Sequence, residues 1–308
     1  MGTLSQLRRV ILAAAESERL ARLVRRHGLR LGAARFVAGE TLDDAVPVLR
    51  RLEAQGLLTN TTLLGEGVRS EAEARAVAAA YRGLLDRIRA EGLRTNVALK
   101  LTHLGLAIDE ELAYRHVAGL VEHAARLGTF IRIDMEESAR VDATLRTYRR
   151  LRAAGFDNVG TVLQAYLYRS ERDLAELLPL APNLRIVKGA YLEPPEVAYP
   201  AKRDVDAAYT RLVQASLTGG GFTAIATHDE ALIEQAIAFA DERGIPRDRY
   251  QFQMLYGVRP RLQLELVRRG YQVLVATPYG ADWYRYFMRR LAERPANVLF
   301  LLRNLLRG

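Results

Sequence analysis

Near the C-terminus, the run RYFMRRLAER sets Arg289 and Arg290 side by side, with Glu293 one helical turn later. Two planar guanidinium forks on one helix suit the grip of a two-oxygen anion. They serve equally well to keep a surface helix solvated. Doublets at Arg8 and Arg9, Arg25 and Arg26, Arg50 and Arg51, Arg149 and Arg150, and Arg268 and Arg269 repeat the pattern, so the doublet alone decides nothing. Other reactive types close a series of short apolar runs: Lys100, Thr102 and His103; Asp134 and Glu136; Gln164 and Tyr166; Arg185, Lys188, Gly189, Ala190 and Tyr191; Thr227, His228 and Asp229; Gln251, Gln253 and Leu255. Polar groups there are expensive to bury without partners, so their recurrence at the same end of successive runs favours a ligand site. A structural ion pair between Lys100 and Asp134 is the plain alternative. In RIVKGAYLEP (185–194), a Lys-Gly-Ala turn lets backbone amides approach an anion, with Lys188 adding charge. A turn whose glycine merely solves a backbone problem fits that stretch equally.

Missing residue types narrow the chemistry. The chain has no cysteine, which excludes disulfides, thiolate nucleophiles, iron–sulfur clusters and Cys-based zinc sites. HExxH is absent, His103 and His228 lie on different runs, and His116 and His123 stand seven apart on a helical stretch, so no metal centre is expected. No GxSxG elbow occurs, which removes the usual serine hydrolase signal. The net charge of +9 permits an anionic ligand, a membrane surface or nucleic acid. Without an aromatic-and-basic stripe or a reading motif, no nucleic-acid partner is expected. No window holds eighteen consecutive apolar residues. The opening MGTLSQLRRVILAAAESERL reads as an amphipathic helix rather than a signal peptide, and the expected location is the cytoplasm.

The elements that must position these groups follow a rhythm. After about sixty residues of helical pattern come β-rich runs at 57–65, 95–102, 129–135, 159–166, 184–191, 222–228, 249–255 and 271–278. Longer amphipathic stretches such as SEAEARAVAAAYRGLLDRIRAEG separate them. Near-continuous apolar runs suit parallel strands buried on both faces. Eight such units predict a (βα)8 TIM-type barrel over 57–308, with an N-terminal helical segment, 1–56, packed on it. A doubly wound sheet would want a dinucleotide fingerprint. The nearest approach, GEGVRS at 65–70, has Ser70 in place of the third glycine and reads as a flexible loop. The proline-rich stretch 191–204 is short enough for an active-site loop.

The motifs ALKLTHLG, IRIDMEES, VLQAYLYRS, RIVKGAYLEPPEVAY, ATHDE, FQMLYGV and RYFMRRLAERPAN occur in this order. Together they resemble the flavin-dependent proline dehydrogenase family of the short bacterial type, from about residue 57 to 308. The resemblance implies a (βα)8 barrel holding FAD. It also implies oxidation of proline to 1-pyrroline-5-carboxylate, with electrons passed to membrane quinone. A basic surface and the amphipathic N-terminal helix would fit peripheral contact at the inner face of the membrane. By the same resemblance, Arg289 and Arg290 bind the substrate carboxylate, Glu293 is their helix's ion-pair partner, and Lys100 and Asp134 are active-site residues. Tyr191 and Leu255 contact the substrate ring. Gln164 and Arg185 hydrogen-bond the flavin, and Val187, Lys188, Gly189, Ala190, Thr227, His228 and Gln253 fall at positions that serve the rest of FAD.

One departure concerns VLVATPYG. The family usually has a tyrosine two residues before this proline, where Ala276 stands here. Relatives that prefer hydroxyproline carry a smaller residue there, so the resemblance implies an enlarged pocket, weaker proline binding and a shifted choice of cyclic amino acid. Tyr279 is close in sequence, but strand alternation puts it elsewhere. Two other readings use the same barrel. One is a phosphate-binding lyase or aldolase with Lys100 as Schiff-base nucleophile. The other is a barrel that binds an anion without catalysis.

Overall fold

The computed structural model describes residues 33–65, 67–284 and 286–288. All eight expected strands form: β1 (Leu58–Leu63), β2 (Asn96–Leu99), β3 (Ile131–Ile133), β4 (Val159–Gln164), β5 (Asn183–Val187), β6 (Phe222–Ala226), β7 (Tyr250–Leu255) and β8 (Val273–Tyr279). They pair in chain order, and β8 returns to β1 in parallel register to close the barrel. Helix α1 (Leu42–Ala54) precedes β1. Helices α2 (Glu71–Ala90), α3 (Glu110–Arg126), α4 (Val141–Ala153), α5 (Ser170–Leu177), α6 (Lys202–Thr218), α7 (Glu230–Glu242) and α8 (Pro260–Arg268) alternate with the strands. The fold is a TIM-type (βα)8 barrel. Ahead of β1, Ala38 donates to the Pro278 carbonyl at 2.8 Å and Trp283 Nε1 to Glu40 at 2.7 Å, which fastens the 33–56 stretch to the barrel.

The helices form where polar caps precede apolar stripes. Thr41 and Asp44 make a reciprocal capping box at the start of α1, Ser70 caps α2, and Asp109 caps α3 through the Leu112 amide. On α3 the buried residues Leu112, Ala113, Val117, Leu120, Val121 and Ala124 recur at helical spacing and face the strands. Several arginine doublets knit the outer ring. Arg149 bonds Glu176 on α5 while Arg150 bonds Glu111 on α3, each at 2.7 Å, and Arg269, capping the end of α8, bonds Glu234 on α7 at 2.6 Å.

The apolar core lies between strands and helices. Leu99, Ile131, Ile133, Leu184, Ile186, Ile225, Phe252 and Val273 all point outward into it and are fully buried. Residues of the other parity face the lumen, because Arg185 of β5 reaches both Asp134 after β3 and Gln253 of β7, which are not its sheet neighbours. Register then assigns the lumen face around the ring: Asn60, Asn96, Ala98, Arg132, Gly160, Val162, Ala224, Gln251, Leu274 and Ala276 join the same set. A TIM barrel is ordinarily filled by branched apolar side chains. Here long polar residues alternate with alanine and glycine, an interior built for polar contacts.

Candidate active site

Arg185 is the hub of the lumen. Its Nε donates to Gln253 Oε1 at 2.6 Å and its Nη1 to Asp134 Oδ1 at 2.8 Å, so one guanidinium ties β3, β5 and β7 together. The pair is largely shielded, with side-chain exposures of 12% for Arg185 and 24% for Asp134. Asp134 is thus held from across the lumen by Arg185. Gln164 also faces the lumen, 3% exposed, and its Oε1 has no hydrogen-bond partner among the described residues. Val187 follows Arg185 on the same face.

Below this layer lies Arg132, which sequence reasoning passed over. It is 3% exposed and donates to the Thr161 carbonyl at 2.9 Å, the Asn183 carbonyl at 2.7 Å and Asn183 Oδ1 at 2.5 Å. The guanidinium lies 5.0 Å from the Phe130 ring centroid. Burial, then repulsion from Arg185, pulls its pKa down to about 9. A charge in the middle of an apolar run, two residues before Asp134, is the signal that could have found it.

Lys100 follows β2 directly, on the lumen parity. Beside it, Glu136 accepts from the Thr102 amide at 3.0 Å and from the Thr102 hydroxyl. Glu136 is 3% exposed, and burial raises its pKa although Thr102 and the charge of Lys100 oppose the rise. The sequence showed Glu136 only as a strand-end carboxylate.

The β5–α6 loop is fastened on both sides. Tyr199 donates its amide to the Tyr166 carbonyl at 2.7 Å, and Glu193 accepts from the Ser138 amide at 2.7 Å and hydroxyl at 2.6 Å. Gly189 has φ +116°, and a Cβ there would stand 2.2 Å from Tyr166 Cδ1, so glycine is a backbone necessity at this turn. Lys188 donates to Asp206 at 2.5 Å and to Asp229 at 3.4 Å. Burial of Asp206 works against its ionisation, but hydrogen bonds from Lys188 and Lys202 outweigh it and lower its pKa. The Lys188 ammonium is thus engaged by two carboxylates. Ala190 is exposed and Tyr191 half-buried beyond the turn.

On the far wall, His228 Nε2 accepts from the Leu255 amide at 2.9 Å, and the Thr227 hydroxyl accepts from the Asp229 amide at 3.1 Å. Leu255 and Ala276 are register partners, both half-buried on the lumen side. Tyr279 faces outward, buried, with its pKa pushed up to about 12 by desolvation, as strand alternation requires. Arg289, Arg290 and Glu293 lie outside the described residues. His116 and His123 are used on the outer ring: His116 Nδ1 is 3.0 Å from the Leu104 carbonyl and His123 Nε2 is 2.6 Å from Asp86. Among the described residues, no group of three or more His, Asp or Glu side chains is placed to hold a metal ion, and no helix is long and apolar enough to cross a membrane.

Comparison with known proteins agrees with this fold. The proline dehydrogenase family matches residues 45–303. Proline dehydrogenase 1 from Bacillus subtilis strain 168 is 42% identical over 301 residues, 98% of this chain and 99% of that protein. Proline dehydrogenase from Deinococcus radiodurans is 44% identical over 305 residues, 98% of each chain. Among solved structures, proline utilization A from Bdellovibrio bacteriovorus inactivated by N-propargylglycine superposes with a TM-score of 0.83 at 24% identity. That match covers 94% of this chain and 36% of the larger protein, and it bears on the fold alone. With a family match across the whole barrel, the chain belongs to the proline dehydrogenase family, oxidoreductases that act on CH–NH donors.

Proposed function

We propose that this chain oxidises L-proline to 1-pyrroline-5-carboxylate, with FAD as the bound oxidant and a quinone as the final electron acceptor. The observation that carries this reading is the Asp134–Arg185–Gln253 chain of hydrogen bonds across the lumen, beside the buried Gln164 Oε1. A flavin's polar edge presents an N–H between two carbonyl oxygens. Gln164 offers an acceptor for the first, and the Arg185 guanidinium offers donors for the others. Ala226, the register partner of Gln253 on the lumen face, is small and half-buried. The residues therefore fit the group.

Gln164, Arg185, Val187, Gly189, Ala190, Thr227, His228 and Gln253 are assigned to the cofactor. Lys188 joins them through its main chain, since Asp206 and Asp229 occupy its ammonium. When bound, the flavin would supply a two-electron oxidant, a hydride acceptor for the ring carbon beside nitrogen. The protein's part is to hold the amino acid with that carbon turned toward the oxidant. Lys100, Arg289 and Arg290 supply positive charge for the carboxylate, and Glu293 pairs on the arginine helix. Asp134, Tyr191, Leu255 and Ala276 line the ring. The nitrogen loses a proton as the hydride leaves, and the C=N bond of the product forms. We take 57–308 as the catalytic barrel and 1–56 as a helical segment packed on it. The expected peripheral membrane contact finds no support among the described residues. A lyase using Lys100, or an anion-binding barrel without catalysis, is not favoured by a family match over 45–303.

The test is anaerobic bleaching of the purified protein's visible flavin band by L-proline and by trans-4-hydroxy-L-proline. Bleaching by proline is expected. A colourless protein that FAD does not reconstitute would overturn the cofactor assignment. A second reading, preference for hydroxyproline or another cyclic amino acid, rests on the small, half-buried Ala276 beside Leu255. Ala276→Tyr should then raise kcat/KM for proline relative to hydroxyproline by about 10-fold, the scale of one pocket contact. An unchanged ratio removes that reading.

A further inference from the structure

We infer that Glu136 and Thr102 form a clamp that sets the height and direction of Lys100 at the barrel mouth, making Glu136 a positioning residue for the substrate carboxylate. The inference rests on the assignment of Lys100 to that carboxylate. The argument starts from the backbone. The amide of Asp134 donates to the Leu99 carbonyl at 2.9 Å, holding the end of β2 against the chain leaving β3. Beyond this point β2 gives way to a 3₁₀ turn, Thr102–Leu104, whose N-cap residue, Leu101, makes no side-chain capping bond. Glu136 supplies the cap from the segment that follows β3. One carboxylate oxygen takes the Thr102 amide at 3.0 Å, and the other takes the Thr102 hydroxyl. Lys100 lies between these two ties, one at Leu99 and one at Thr102. On the chain leaving β3 the corresponding points are Asp134 itself and Glu136.

A neutral side chain would cap the turn at lower cost, because a carboxylate at 3% exposure is expensive to desolvate. The charge of Lys100 offsets part of that cost. Glu136 therefore acts on Lys100 in two ways, through the bracketing backbone and through its field. A shift of about 1 Å at such a group costs up to about 100-fold in rate or binding.

The experiment uses the full chain and cyclopentanecarboxylate, a ring carboxylate with no oxidisable C–N bond, with binding followed by ligand-detected NMR. Glu136→Ala should weaken binding by about 10- to 100-fold, and by less than about 2-fold when made on a Lys100→Met background. Glu136→Gln keeps the shape of both bonds and should restore binding to within about 3-fold of the parent. An equal loss from Glu136→Ala on both backgrounds overturns the clamp, as does a Glu136→Gln variant as weak as the alanine. If Glu136→Ala does not fold, Thr102→Val removes one arm. It should weaken binding by about 3- to 10-fold, again only when Lys100 is present. Unaltered binding by Thr102→Val also overturns the inference. Failure of the dehydrogenase reading shows separately, as a parent protein that binds the carboxylate but does not oxidise proline.

Discussion

Arg185 crosses the barrel lumen to hold Asp134, with Nη1 2.8 Å from Oδ1, and the same guanidinium reaches back 2.6 Å to Gln253. Three strands that are not neighbours in the sheet are thereby linked through one planar group. Lysine cannot reproduce this, because a single ammonium lacks the fixed fork. Arg185→Lys should lower kcat/KM for proline by about 100-fold and reduce the flavin retained on purification. Asp134→Asn keeps the shape of the contact and should cost less, about 10-fold. Parent-like kinetics and flavin content in Arg185→Lys would show that the fork is dispensable.

The strand count, the strand order and the end of the barrel that carries the polar groups were legible in the sequence, because apolar runs and their polar terminal residues are local patterns. What Asp134 touches was not legible. Its partner, Arg185, lies 51 residues away and reaches it only once the ring has closed. Lys188 shows the same limit from the other side. Its type and turn suited an anion, but α6 and α7 bring Asp206 and Asp229 against it. Arg132 had a visible signal, a charge inside IRI, yet two of its three acceptors are backbone carbonyls that no side-chain pattern reveals.

Those carbonyls make Arg132 a stability residue. Arg132→Met would strand the Thr161 and Asn183 carbonyls and the Asn183 amide oxygen in a buried layer. The expected loss is about 2–4 kcal/mol, the scale of charge-assisted bonds left unmade. It should appear as a lower urea midpoint at an unchanged slope. Arg132→Lys, which keeps the charge and part of the bonding, should fall between. A methionine variant as stable as the parent would mean that this layer rearranges around the gap.

Gly189 offers a steric test. Alanine there must adopt φ +116° and place its Cβ 2.2 Å from the Tyr166 ring. Both penalties act at the turn between Lys188 and Tyr191. Gly189→Ala should cost about 2–4 kcal/mol, read from the thermal midpoint. Adding Tyr166→Ala should not recover the full loss, since the backbone strain remains. A single variant within about 0.5 kcal/mol of the parent would show that the turn can swing away.

Glu136 makes stability depend on pH in a direction opposite to most paired carboxylates. Its pKa in the folded protein lies above the ordinary 4.5, with burial outweighing the two Thr102 bonds and the field of Lys100. Between those two values the folded protein binds more protons at this site than the unfolded chain does, so the unfolding free energy falls as pH rises. The contribution is fully present below 4.5 and is lost as pH climbs through the folded value. Glu136→Gln has no proton to lose and escapes the penalty, while every other titrating group is common to both proteins. The difference in thermal midpoint between Glu136→Gln and parent should therefore move in favour of the variant as pH rises above 4.5, and level off once the buried carboxylate has ionised. Scanning both proteins from about pH 4 to pH 8 gives the sign directly. A parent that gains on the variant across that window would mean that Thr102 and Lys100 hold the carboxylate ionised against its burial.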